Sequence, residues 1–350
     1  MTAGSKKFRI ALTGDFYDEA GNTRVPDMGL QYLDDDPNAE YFAFEEHCPE
    51  IGVDQYGDAN AVLVLAPKVT AASLGDATEL LAIGRYGVGY DSVDVPACTE
   101  ADVVLCISKG AVDRPVAEAT FGWMIALTHN MHIKDRLVRE GEWDVRTDYN
   151  GCEIRDRTFG AVGLGGISRE TIRLLSGFGM NPPLAFDPFV SAEEAAELGV
   201  ELVELSDLMR RADFVSIHCP LTDKTRNLIG EDEIALMKAG AYLMNTARGG
   251  IVNEDALYAA LEQHKIAGAA LDCFEVEPVV EPHRFGKLDN VMLAPHSIAW
   301  TVELFRDIGK TTCSAMLDLS KGREPNGIVN REVLERPGFQ EKWKRLRVEG

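Results

Sequence analysis

The chain has 350 residues, of which 45% are hydrophobic, and carries a formal net charge of −22 with a sequence pI near 4.7. That length suits two domains, each with a core of its own. So acidic a chain argues against nucleic acid and anionic membranes as partners, and an anionic substrate must meet a local positive centre.

The seven cysteines, at positions 48, 98, 106, 152, 219, 273 and 313, include no Cys-x-x-Cys pair. Neither a disulfide framework nor a metal centre is therefore expected. Residues 1–7 are polar and no apolar run is long enough to span a bilayer, which predicts a cytoplasmic protein without a signal peptide.

In chain order, apolar runs at 8–13, 61–66, 80–84 and 103–107 read as four parallel strands of a first α/β domain. Residues 14–41 are acidic and turn-rich, and no element is assigned to them. A helical pattern without internal proline follows over 115–140, with Pro115 in its first turn and Gly141 at its end. As one helix it would reach about 37 Å, enough to bridge two domains.

The next stretch carries the most information. An apolar strand at 159–164 runs into Gly163-Leu-Gly165-Gly166-Ile167-Ser168, a helix, and a second strand at 184–186 that ends in Asp187. Gly163 permits a tight turn, Gly165 lets backbone approach a phosphate, and the helix offers unpaired N–H groups and the positive end of its dipole. Ser168 stands where the third glycine of such motifs usually does. Asp187, 21 residues beyond Gly166, is placed to accept both hydroxyls of an adenosine ribose. It would repel a 2′-phosphate, and no Arg or Lys occurs among residues 188–190, so NAD is expected rather than NADP.

Strands at 213–218, 241–245, 268–272 and 290–294 bring the second sheet to six. A helix over 302–321 could return the chain to the first domain, and the charged end holds a short helix near 340–346. Three polar residues fall just past strand ends, where open α/β sheets bind ligands: Arg248, Glu277 and His296. An arginine at a strand end, followed by two glycines, can hold a carboxylate bidentately. A glutamate beside a histidine stabilises the charged imidazole, giving the acid that ketone reduction by a nicotinamide requires.

With these residues in view, the chain resembles the D-isomer-specific 2-hydroxyacid dehydrogenase family. The matching stretches are Arg85-Tyr-Gly-Val-Gly-Tyr-Asp91, Pro115-Val-Ala-Glu-Ala-Thr120, Gly163–Ser168 with Asp187, His218-Cys-Pro-Leu-Thr222, 245–255, 271–278 and 294–296. The resemblance implies two doubly wound α/β domains, with a Rossmann NAD-binding domain (114–301) inserted into a flavodoxin-like substrate domain (1–113 and 302–335), then a tail (336–350). It implies that Arg248 binds the substrate carboxylate with Val88 and Gly89, and that His296 exchanges the proton with Glu277 as partner. Gly163, Gly165, Gly166, Ile167, Asp187, Cys219, Pro220, Thr225, Thr246, Ala247 and Asp272 would line the cofactor. Trp300, where many relatives carry small residues, would shape the substrate pocket. The expected partner is a small 2-hydroxy or 2-oxo acid, and the expected assembly a homodimer. A relative that oxidises another small anion, of formate or phosphite type, and a non-catalytic NAD(H)-sensing protein are the alternatives.

Overall fold

The computed structural model describes residues 7–75 and 77–348; the reading of residues 1–6 as a polar start lies outside them. The chain divides into two compact units, residues 1–112 with 300–350, and residues 113–299.

The first unit is built on five parallel strands, β1 (Phe8–Leu12), β2 (Ala39–Ala43), β3 (Ala61–Val64), β4 (Ala82–Arg85) and β5 (Val104–Ile107). Their spatial order is β2-β1-β3-β4-β5, the doubly wound order of flavodoxin-like domains. β2 falls largely within the stretch left unassigned from sequence. It is an edge strand with three half-buried residues among its five, so its apolar signal is diluted. The chain that re-enters this unit after residue 300 is fastened to β5. Asn330 accepts from Leu105 N at 2.8 Å and donates to Val103 O at 3.0 Å. The C-terminal helix Pro337–Leu346 adds Lys342, whose ammonium donates to the carbonyls of Leu80, Ala101 and Asp102.

The second unit contains seven parallel strands: β6 (Phe159–Val162), β7 (Leu184–Phe186), β8 (Glu201–Leu202), β9 (Phe214–Ile217), β10 (Tyr242–Asn245), β11 (Gly268–Leu271) and β12 (Val291–Leu293). One more strand is present than the six expected, because two-residue β8 is too short to leave a pattern. The order β12-β11-β10-β9-β6-β7-β8 is the Rossmann arrangement with one strand added at the edge. β6, β9 and β11 are buried along their whole length, as strands covered by helices on both faces must be. The chain order reverses between β6 and β9, so ligands are expected beyond the carboxyl ends of those two strands.

The single helix expected over 115–140 is two, Asp113–Thr128 and Met131–Glu140. Asn130 between them has a left-handed φ of 52°. The cause is local competition for the helix end. Cys152 N donates to Thr128 O at 2.8 Å, taking the carbonyl that a continuing helix would use, and Asn130 Nδ2 donates to Tyr149 O at 3.3 Å.

Candidate active site

The glycine turn follows β6. Gly163 has φ +97°, and a Cβ there would stand 2.9 Å from Cys219 N, so the turn lies against the carboxyl end of β9 at the point of chain reversal. Gly165 faces open space and caps the helix Gly166–Leu175 without a side chain of its own. Ser168, fully buried, donates from Oγ to Gly163 O at 2.5 Å. The residue in the third glycine position therefore closes the turn rather than disturbing it. Asp187, just past β7, accepts Leu164 N at 2.8 Å and Phe189 N at 2.9 Å, which fixes its carboxylate beside the turn.

Past β9, Thr225 Oγ1 donates to Pro220 O at 2.6 Å, shaping the loop that follows Cys219. Past β10, Thr246 Oγ1 is buried without a hydrogen-bond partner. An orphaned buried hydroxyl calls for a ligand or water. Together with the open face at Gly165, the helix start behind it and the fixed Asp187, it fits the phosphates and ribose of a dinucleotide. Ile167 lies in the first turn of the same helix.

Arg248 sits in the turn after β10, held by a residue the sequence reading passed over. Asn245 is buried; its Oδ1 accepts Ala247 N at 3.1 Å and its Nδ2 donates to Arg248 O at 2.8 Å. An asparagine at a strand end before a turn was the available signal. At Gly249 a Cβ would overlap Phe274 O, so only glycine lets the Arg248 turn lie against the segment after β11. The two segments are tied again by reciprocal bonds, Glu254 N to Glu275 Oε1 at 3.1 Å and Glu275 N to Glu254 Oε1 at 2.7 Å.

His296, just past β12, has φ 52° and donates its N–H to Asp272 O at 2.8 Å. Asp272 Oδ1 accepts the next two amides, Ser297 N at 2.8 Å and Ile298 N at 3.1 Å. Burial raises the Asp272 carboxyl above its ordinary range against the pull of those amides. His296 Nδ1 then meets Glu277 Oε2 at 2.7 Å, and Glu277 Oε1 accepts Phe274 N at 2.9 Å. Burial pushes the Glu277 carboxyl up, but its bonds to His296 and Phe274, with the charges of His296 and Arg248, hold it below its usual range. An ionised Glu277 facing the ring favours a proton on Nδ1, leaving Nε2 to give or take a second.

Of the residues expected from sequence, the second unit brings Asp272, Glu277 and His296 together and places Arg248 within reach of Glu277's charge. Val88 and Gly89 occupy the loop after β4 in the first unit. Trp300, also in that unit, is exposed and packs edge-on against Phe305, with ring centroids 5.2 Å apart.

Comparison with known proteins places the chain in a family. Residues 121–297 match the family model described as "D-isomer specific 2-hydroxyacid dehydrogenase, NAD binding domain". A glyoxylate reductase of Korarchaeum cryptofilum is 34% identical over 325 residues, covering 90% of this chain and 97% of that protein. A D-3-phosphoglycerate dehydrogenase of Methanocaldococcus jannaschii is 40% identical over 275 residues, covering 78% of this chain; the chain spans only 52% of that relative's length. Among solved structures, a glyoxylate reductase from Paecilomyes thermophila superposes with a TM-score of 0.78 at 28% identity, covering 93% of this chain and 99% of that one. No helix among the described residues is long and apolar enough to cross a membrane.

Proposed function

Because the chain belongs to the D-isomer specific 2-hydroxyacid dehydrogenase family, with an NAD-binding domain over half its length, we propose that it interconverts a small D-2-hydroxy acid and its 2-oxo acid. The observation that carries this reading is the 2.7 Å contact of His296 Nδ1 with Glu277 Oε2, on a histidine whose backbone is anchored to Asp272.

NAD(H), when bound, supplies or accepts the hydride at the substrate's C2. The protein's part is to bind, orient and protonate. Arg248 takes the carboxylate through its planar guanidinium, carried on a backbone turn that Asn245 and the close-packed Gly249 hold in place. As an alkoxide develops on the substrate oxygen, Nε2 of the charged His296 ring gives it a proton, and Glu277 stabilises that charge until the proton leaves. In the oxidising direction the neutral ring takes the proton from the hydroxyl. Gly163, Gly165, Gly166, Ile167, Asp187, Cys219, Pro220, Thr225, Thr246, Ala247 and Asp272 line the cofactor in this reading. Val88, Gly89 and Trp300 are assigned to substrate recognition, the protein to the cytoplasm, and the assembly to a homodimer.

The test is NADH oxidation against a panel of 2-oxo acids including glyoxylate, hydroxypyruvate, pyruvate and phosphorylated members, with chiral analysis of any product that has a stereocentre. Turnover of at least one acid, with D product, is expected. No turnover with any of them, or L product, contradicts the reading.

A further inference from the structure

Cys273 is a nucleophilic side chain close to His296 and Glu277 that the proposed reaction does not use. It is buried, directly follows Asp272, and is in no disulfide. Among the described residues, one group of His, Cys, Asp and Glu has ligand atoms clustered for a metal ion. It is Cys273, Glu277 and His296, each offering one atom within 4.8 Å of the other two. The spacing Cys-x-x-x-Glu with a distant histidine is not a metal signature in the sequence; the loop after β11 and the turn after β12 assemble it.

We propose that these three residues form a binding site for a thiophilic divalent cation of the zinc class, and that its occupancy switches the enzyme off. A thiolate, an imidazole nitrogen and a carboxylate oxygen are a donor set suited to zinc, and such sites leave a fourth position to water. Donor atoms round a tetrahedral zinc stand about 3.6 Å apart, a spacing that small rotations of Cys273 and Glu277 bring within reach. Charge also favours the ion. Two anionic donors, the Cys273 thiolate and the Glu277 carboxylate, match the two charges of the ion. On binding, the Cys273 thiol proton goes to solvent, and the Nδ1 proton facing Glu277 goes with it when Nδ1 is the ring nitrogen that ligates. Whichever ring nitrogen takes the metal, His296 can no longer alternate between imidazole and imidazolium, so proton transfer stops. Metal binding stands independently of the proposed reaction; the inhibition rests on that reading.

The probe is Co²⁺ titrated into the full chain, followed by the thiolate-to-cobalt charge-transfer band in the near ultraviolet, with Zn²⁺ added to displace it. One equivalent giving the band, its loss in Cys273→Ser and in His296→Ala, and unchanged circular dichroism in both variants are expected. Absence of the band in the unmodified protein, or a band of equal intensity in Cys273→Ser, overturns the site. Inhibition is read from NADH oxidation as the Zn²⁺ concentration halving each protein's own metal-free rate. It should rise at least tenfold in Cys273→Val; equal sensitivity of the two proteins overturns the switch. A protein that turns over no 2-oxo acid but shows the cobalt band sinks the dehydrogenase reading and, with it, the switch, and leaves the metal site standing.

Discussion

Asp272 accepts the backbone N–H of His296 through its carbonyl at 2.8 Å, while its carboxylate takes the next two amides, of Ser297 and Ile298. The turn that aims the imidazole is thus suspended from the end of β11. This positive-φ turn departs from ordinary backbone geometry, so removing its support should be felt in both stability and rate. Asp272→Ala leaves two amides without an acceptor and should cost about 2 kcal/mol of stability. Asp272→Asn keeps an acceptor oxygen and should lose much less. Urea denaturation of both variants checks this; equal losses would show that the brace is not what matters.

Glu277→Gln keeps a hydrogen-bonding side chain of the same length but removes the charge opposite His296. General acid–base groups typically contribute 10²–10⁴-fold, and loss of the supporting charge should account for roughly 10- to 100-fold in kcat. NADH affinity should stay near wild type, because Glu277 is not among the residues assigned to the cofactor. Steady-state kinetics with fluorescence titration of NADH separates the two effects. Arg248→Lys, which keeps charge but loses the bidentate fork, should raise KM for the acid about tenfold or more.

The glycine turn gives a prediction confined to the cofactor. Gly163→Ala places a methyl group 2.9 Å from Cys219 N at a φ of +97°. Displacing the turn from β9 should weaken NADH binding by an order of magnitude or more, corresponding to about 1.4 kcal/mol. Ser168→Gly, which restores the commoner residue, removes the bond to Gly163 O and should lower stability by about 1 kcal/mol instead of raising it. A more stable Ser168→Gly protein would mean that the serine is tolerated rather than used.

His218, just past β9, should contribute to the loss of stability in acid. Its Nε2 pairs with Ser216 Oγ at 2.8 Å and its Nδ1 is enclosed without a partner, so although the residue keeps some exposed surface, both ring nitrogens are shielded from water. Burial therefore lowers its pKa to about 4. The folded state resists a proton that the unfolded chain accepts from about pH 6.5 downward, so this contribution is complete above pH 6.5 and declines as pH falls toward 4. A loss of up to about 3 kcal/mol across that window is expected, and His218→Gln should flatten it. Unfolding measured at pH 7 and pH 4.5 decides the matter; equal pH dependence in the two proteins would remove His218 as its source.

The parts legible in the sequence were those with a dense local signature. The glycine turn with Asp187, and the strand ends bearing Arg248, Glu277 and His296, each combine an apolar strand with an abrupt polar residue. β2 and β8 were not legible, because edge strands are half exposed and β8 has only two residues. The break at Asn130 was missed because it depends on Cys152 reaching Thr128, a contact 24 residues away along the chain (152 − 128). The same holds for Cys273, whose neighbours come together only when β11 and β12 lie side by side.

The proton-transfer role proposed for His296 is tested most directly by comparing His296→Ala with the unmodified protein on the best 2-oxo acid, with kcat and NADH affinity measured on the same preparations. The expected result is a fall in kcat of about 10²- to 10⁴-fold with NADH affinity within a factor of two to three. An unchanged kcat would contradict the assignment of His296, and with it the mechanism built on its contact with Glu277.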